Sequence, residues 1–294
     1  MPISHRLPWQ VNLAAKVVLS RMPVSYRIWK RVGFFNLGAM ERPEYAYHVF
    51  EQHFRAAGMS ERAAGISERG GGRAVCLELG PGDSLSTALI ALAFGASQTY
   101  LVDVGPFATA SLTPYRRMAA YLHQHGFPVA DLSNIQTLDQ LLALCSAKYL
   151  THGLDSLRQI PSASVDFVFS HASLQQVRRA EFLPTMKELR RIQKPGGVGS
   201  YTVGMRDLIG GAANDLRFSN RAWESPYLAD AGFYTNRLRY SEMLGLFRKA
   251  GFAVEVIHVG RWEKLPIPRE KLAPEFSTLS DDDLLTCEWD VILR

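Results

Sequence analysis

Glu78, Gly80, Gly82, Asp83 and Asp103 are the residues whose types and spacing most readily do chemistry in this chain. The first four lie in CLELGPGDS, Cys76 to Ser84, and Asp103 closes QTYLVD, 98 to 103. An apolar run of strand length enters a Gly-Pro-Gly turn with a carboxylate on either side. Glycines at such a place let something approach the backbone closely. A phosphate-binding loop would close on Gly-Lys-Ser/Thr, and no lysine follows Gly82. A dinucleotide turn would carry Gly or Ala three residues after the second glycine, where this chain has Leu85. Two carboxylates are also poor neighbours for a pyrophosphate.

The pattern suits a ligand that is cationic and has no phosphate. S-adenosylmethionine, a sulfonium, meets that description. Glu78 and Asp83 would then face its amino-acid portion or order the loop around it. Asp103 stands 23 residues after Gly80, about the distance at which an acid at the next strand end reaches ribose hydroxyls. The plainer alternative for Asp103 is a turn residue, since Val-Gly-Pro follows.

The elements that must hold these residues alternate. Strands are expected at 74–79, 98–102, 165–170, 198–203, 252–259 and 287–293. Helices are expected at 85–94, from Pro114 to His125, at 136–148, at 180–193 and from Ser241 to Gly251, with a turn at Lys194 to Gly197. This alternation predicts an α/β doubly wound sheet, mostly parallel, in which the last two strands pair antiparallel at one edge. Ligands of such sheets sit at the carboxyl ends of the strands. Residues 1 to about 56 look helical, and the Gly-rich stretch 57–72 reads as a linker. The expected organisation is an N-terminal helical extension and linker, 1–72, followed by a ligand-binding domain, 73–294, with a cap insertion at about 205–240.

Residues 1 to 40 hold six Lys and Arg and no Asp or Glu, against a net charge of +5 for the whole chain. The basicity therefore belongs to the N-terminal stretch. It reads first as a solvated helix face, and second as a weak membrane-surface contact aided by Trp9, Tyr26 and Trp29. No interleaved basic and aromatic pattern points to nucleic acid. Cys76, Cys145 and Cys287 fit neither a zinc nor a disulfide pattern and read as reduced thiols. With no signal peptide evident, a cytoplasmic protein is expected.

The segments LELGPGDS, YLVDV, IPSASVDFVFSHASLQQV, ELRRIQKPGG and LFRKAGFAVEVI occur in the order that resembles the class I S-adenosylmethionine-dependent methyltransferases, over about residues 74 to 260. The N-terminal segment from Met22-Pro23-Val24 resembles a bacterial subgroup that modifies polysaccharides or other small molecules. The resemblance implies a Rossmann-like methyltransferase sheet with S-adenosylmethionine as cofactor. It places Glu78, Gly80 and Gly82 along the methionine side and Asp103 at the ribose. Gly153 and Leu154 fall at the adenine, and Ser170 and His171 near the reactive methyl. The chain departs from the pattern after the fourth strand. Many relatives read Leu-Glu-His-Val there, and this chain reads Leu174-Gln175-Gln176-Val177.

Methyl transfer to oxygen invites a general base. His171 is the first candidate and Asp207, after the fifth strand, the second. Each has a plainer alternative, a backbone or cofactor hydrogen bond for His171 and a helix cap for Asp207. No clustered oxygen ligands suggest a metal. The stretch Ala212 to Tyr240 is polar and aromatic, the composition of a lid or acceptor pocket. Asn214, Arg217, Trp223, Tyr234, Asn236 and Arg237 are its candidate contacts to a hydroxylated or anionic small molecule or glycan. Packing against the N-terminal helices is the alternative for the segment. The leading expectation is methylation of a small-molecule or sugar hydroxyl. Two other readings stay open: a non-methylating reaction that holds the cofactor structurally, and a non-catalytic interaction protein.

Overall fold

The computed structural model describes residues 8–21, 39–59 and 74–294. Seven strands form one sheet in the order β3-β2-β1-β4-β5-β7-β6. They are β1 (Val75–Leu79), β2 (Gln98–Val102), β3 (Ala147–Leu150), β4 (Val165–His171), β5 (Gln193–Gly204), β6 (Val254–Arg261) and β7 (Thr286–Leu293). The β1–β2, β1–β4, β2–β3 and β4–β5 pairs are parallel. β7 runs antiparallel to both β5 and β6. The antiparallel strand expected near one edge is thus β7, and it lies one position in, with β6 outside it.

Strand alternation sends side chains to two cores. Cys76, Phe167, Phe169 and Val198 meet one set of helices: α2 (Pro43–Ala56), α3 (Ser86–Ala93), α4 (Thr113–Gln124) and α5 (Leu138–Leu144). Leu77, Leu79, Val168 and Tyr201 meet the other: α6 (Gly153–Arg158), α7 (Arg179–Ile192) and α8 (Tyr240–Lys249). The register of β4 against β5 shifts between Val165, opposite Gln193, and Phe167, opposite Val198, and across that shift Val165 joins the second core while Phe167 joins the first.

Helix α2 belongs to the first core. Its Ala46, Val49, Phe50 and Phe54 recur at helical spacing and are buried. Phe50 and Phe54 lie edge-on to Phe167. The expected N-terminal extension therefore supplies one of the helices that cover the sheet. The first helix, α1 (Trp9–Leu19), instead docks on the cap. The rest of the stretch expected to be helical before residue 57, and most of the expected linker, lie outside the described residues.

The helix expected over 136–148 is shorter than its periodicity suggests. Thr137 and Gln140 form a reciprocal capping box at its start, and the helix ends at Leu144. Ser146 turns the chain at a φ of 49°, and Ala147–Leu150 then pairs with β2 as the edge strand. Four residues entered from a helix through two connecting residues give no readable alternation of their own.

Candidate functional site

The carboxyl ends of β1, β2, β3 and β4 bring the expected cofactor residues together. β1 hands the chain to Gly80 and Gly82, whose φ values of 80° and 67° suit glycine. Gly80 is needed twice over. A Cβ there would meet Ser173 Oγ at 2.3 Å. Ser170, at the end of β4, donates its hydroxyl to the Leu79 carbonyl at 2.9 Å and pins the two strand ends together.

Asp103 ties three strand ends to the turn. Its carboxylate accepts the Gly82 N–H at 3.0 Å and the Val104 N–H at 2.7 Å. Its backbone N–H donates to Leu150, and its carbonyl accepts from Gly153. A carboxylate has about four acceptor positions, so two remain for a pair of hydroxyls. Burial raises its pKa to about 6, while the Val104 and Gly82 N–H bonds pull the other way. Val104 beside it is 71% exposed and lies over Gly153, a Cβ on which would stand 3.1 Å from Val104 Cγ1. Leu154, half-buried, begins α6 next to them. This ledge has the apolar character a base would stack on.

Glu78 is buried within β1, and its Oε2 has no hydrogen-bond partner. Burial raises its pKa to about 8, opposed by the Thr87 hydroxyl and reinforced by Asp103. An orphaned buried carboxyl oxygen suits a cationic ligand group, which would restore its charge. Asp83 is buried on the far side of the turn, and its carbonyl accepts from Thr109 at 2.9 Å. A buried acid, a diol acceptor and a close-approach glycine turn therefore fit the amino-acid nucleoside expected from sequence.

The Glu78 shift has a consequence for stability. The carboxyl titrates near 4.5 when unfolded and near 8 when folded. Folding thus favours its neutral form. The contribution is full below about pH 4.5 and is lost as the pH rises through 8. Glu78→Gln should stabilise the ligand-free protein at pH 8 by on the order of 2 kcal/mol and have little effect near pH 4. Thermal unfolding at the two pH values reads this directly. A variant less stable than wild type at pH 8 would contradict it.

His171 ends β4 on the face covered by α2. Its Nδ1 lies 3.2 Å from His53 Nε2, and His53 Nδ1 lies 2.8 Å from Ser200 Oγ. The Tyr45 ring meets His171 edge-on at 6.1 Å. Burial lowers the His171 pKa, against the opposing pull of Asp290 and Glu288. The cross-strand register sets His171 beside Thr202 and Thr202 beside Asp290. Sequence reasoning missed His53, Tyr45 and Ser200. The only available signal was that Tyr45, Val49 and His53 share one face of an amphipathic helix.

Asp207, the second candidate base, is buried in its own loop. Its oxygens accept N–H bonds from Ile209, Gly210, Gly211, Ala212 and Asn214, and from the Asn214 side chain. Six donors leave no lone pair for a substrate proton. These bonds favour the capping alternative for Asp207, as the organiser of its loop, over a role as base.

The candidate cap residues bond largely within the protein. Asn214 joins Asp207 to Arg217. The Arg217 guanidinium also lies over the Trp9 ring. Trp223 donates to the Thr235 carbonyl. Tyr234 donates to Glu224 and accepts from the Arg179 N–H. Asn236 donates to the Leu174 and Val177 carbonyls. Arg237 is buried on the Asp215 and Phe218 carbonyls and the Asn220 side chain. These contacts build the cap and fasten it to α1 and to the segment after β4. Lys16 and Arg21 belong to the same seam. Lys16 donates to the Leu208 carbonyl, and Arg21 to that of Tyr227. Two of the basic N-terminal residues therefore face the cap. Among the described residues, no helix is long and apolar enough to cross a membrane, and no cluster of His, Cys, Asp and Glu could hold a metal ion.

A family model described as "Methyltransferase domain" matches residues 77–200, from β1 into β5. No curated protein matches the chain. Solved structures that align with the chain include an arsenic(III) S-adenosylmethionine methyltransferase from Chlamydomonas reinhardtii. It shows 15% identity and a TM-score of 0.42 over 75% of this chain. The match spans 62% of the length of that algal protein. An S-adenosylmethionine-dependent methyltransferase from Mesorhizobium loti aligns at 17% identity and a TM-score of 0.42, covering 76% of this chain and 92% of that one. Another from Methanosarcina mazei aligns at 15% identity and a TM-score of 0.44, with the same coverage.

Proposed function

We propose that this chain, whose residues 77–200 match the family model of a methyltransferase domain, is a class I S-adenosylmethionine-dependent methyltransferase that acts on a hydroxyl of a small molecule or sugar. When bound, S-adenosylmethionine would supply an electrophilic methyl on a sulfonium that is already a good leaving group. Glu78 takes the ammonium end of the ligand and Asp103 the ribose diol. Gly80 and Gly82 admit it against the backbone, with Asp83 closing the turn. Gly153 and Leu154 form the ledge for the base, and Ser170 keeps β1 and β4 in register beneath it. The work left to the protein is alignment of the acceptor and exclusion of water.

The observation that carries the oxygen acceptor is the place of His171. Ser173, two residues on, donates its hydroxyl to the Gly80 carbonyl at 3.2 Å, which ties the chain just after His171 to the turn assigned to the ligand. Thr202 and Asp290 continue the polar row across β5 and β7. Hydroxyl-rich acceptors suit such a row. No metal step is invoked.

Calorimetry with S-adenosylmethionine and S-adenosylhomocysteine, followed by an assay of S-adenosylhomocysteine release with panels of sugars, polyols, amines and thiols, tests this. Micromolar binding of both and turnover with hydroxylated acceptors is expected. Turnover confined to amines or thiols would reject the oxygen acceptor.

A further inference from the structure

His53 and Ser200 lie outside every expectation drawn from the sequence. Yet they form a continuous chain of polar atoms from the interior of the sheet to His171. Ser200 is buried in β5, and His53 is buried in α2. Among the described residues, the Ser200 hydroxyl has one side-chain partner, His53 Nδ1. His53 Nε2 has one, His171 Nδ1.

Only one proton can lie between each pair, so the chain has two neutral settings. In the first, His171 Nδ1–H donates to His53, and His53 Nδ1–H donates to Ser200. Among the described residues, the Ser200 hydrogen then has no acceptor. In the second, Ser200 donates to His53 Nδ1, and His53 Nε2–H donates to His171 Nδ1. The remaining proton of His171 then sits on Nε2. A buried hydroxyl that fails to donate loses its hydration without compensation. The second setting satisfies every buried donor and leaves only the half-buried end of the chain open.

We propose that Ser200 and His53 are positioning residues that hold His171 with its proton on Nε2, so that the ring donates a hydrogen bond to the acceptor oxygen rather than acting as a base. The proposal rests on the reading that His171 meets the acceptor, and it reverses the direction of proton traffic expected from sequence. The acceptor oxygen is held by the imidazole N–H with a lone pair directed at the methyl carbon. The new O–C bond forms as the S–C bond breaks, and the electron pair stays on sulfur. The hydroxyl proton leaves afterwards to water, because a protonated ether is a strong acid.

The surroundings support the neutral state. His53 is held far below the ordinary imidazole range, to about 3, by burial first and His171 second. The titratable groups facing His171 are Tyr45 and His53 from α2 and Asp290 and Glu288 from β7. Burial outweighs the two carboxylates and lowers the pKa of the ring, which favours its neutral form. A doubly protonated His171 would also set its Nδ1–H against that of His53 Nε2.

Two measurements on the full chain test this. The first is the nitrogen chemical shifts of ¹⁵N-labelled histidine side chains, assigned with His53→Gln and His171→Gln. Both rings should show the Nε2–H tautomer, and Ser200→Ala should move His171 at least half-way to Nδ1–H. A wild-type His171 protonated on Nδ1, or one indifferent to Ser200→Ala, would overturn the proposal. The second is turnover. Glutamine offers an N–H but no basic nitrogen, so His171→Gln should lose about tenfold where His171→Ala loses about a hundredfold. Equal loss in both would favour a base and overturn the donor assignment. No loss in either would remove His171 from the acceptor, while the tautomer result would still decide the relay.

Discussion

His171→Ala is expected to lower kcat by about a hundredfold while leaving the affinity for S-adenosylmethionine within about twofold of wild type. The split follows from position. The ring lies on the α2 face of the sheet, among Tyr45, His53 and the Thr202–Asp290 pair. The groups assigned to the cofactor lie at the ends of β1, β2 and β3, apart from Ser170 at the end of β4, whose hydroxyl is bonded to the Leu79 carbonyl. Removing the imidazole takes away one contact to the acceptor oxygen and frees it to rotate off the line of attack. It touches neither Glu78 nor Asp103. Steady-state rates with a hydroxylated acceptor, beside calorimetric affinities, give both halves of the expectation. A variant whose cofactor affinity falls in step with its turnover would place His171 at the cofactor instead.

Asp103→Ala should weaken S-adenosylmethionine binding by about a hundredfold or more. A hydrogen bond to a charged acceptor contributes about 1.5–3 kcal/mol, which alone is one to two powers of ten. Here the carboxylate also anchors the Gly82 N–H at 3.0 Å. Its loss frees the turn as well as the ribose contacts. The strand ends should nevertheless stay joined. The bonds from Gly80 to Val102, Asp103 to Leu150 and Gly153 to Asp103 are all between backbone groups. Calorimetry of the variant, with its circular dichroism as a check on folding, is the measurement. Unchanged affinity in a folded variant would remove the ribose assignment.

What could be read from the sequence was local or periodic. The glycine turn, the acid at the end of β2 and the strands β1, β2, β4 and β5 all announce themselves within short windows. So does the pairing of the last two strands, whose connection holds no long helix. β3 was hidden because its four residues follow a helix whose own periodicity runs into them. His53 was hidden for a different reason. Its meaning depends on a contact to His171, 118 positions away, and an isolated histidine on an apolar helix face carries no sign of it. The cap shows the converse. Asn214, Trp223, Asn236 and Arg237 have the residue types of a binding pocket, but a polar segment buried against a sheet needs the same types to satisfy its own carbonyls. Composition does not separate the two uses, and only the list of bonding partners does. Asp207 belongs to the same class, an acid that a loop of successive N–H groups consumes.

The placement of β7 between β5 and β6 has a bearing on how the polypeptide emerges from the ribosome. Each of β2 to β5 finds its sheet neighbour among strands already synthesised. β6 does not. Its one neighbour is β7, which is translated only after the whole connection 262–285. During that interval β5 also lacks its outer partner. The nascent chain therefore carries an open edge on β5 and an unplaced β6 at the same time, the arrangement most prone to pair with a second chain. Arrival of a single strand closes both, so the last step of sheet assembly is the insertion of one strand into a gap.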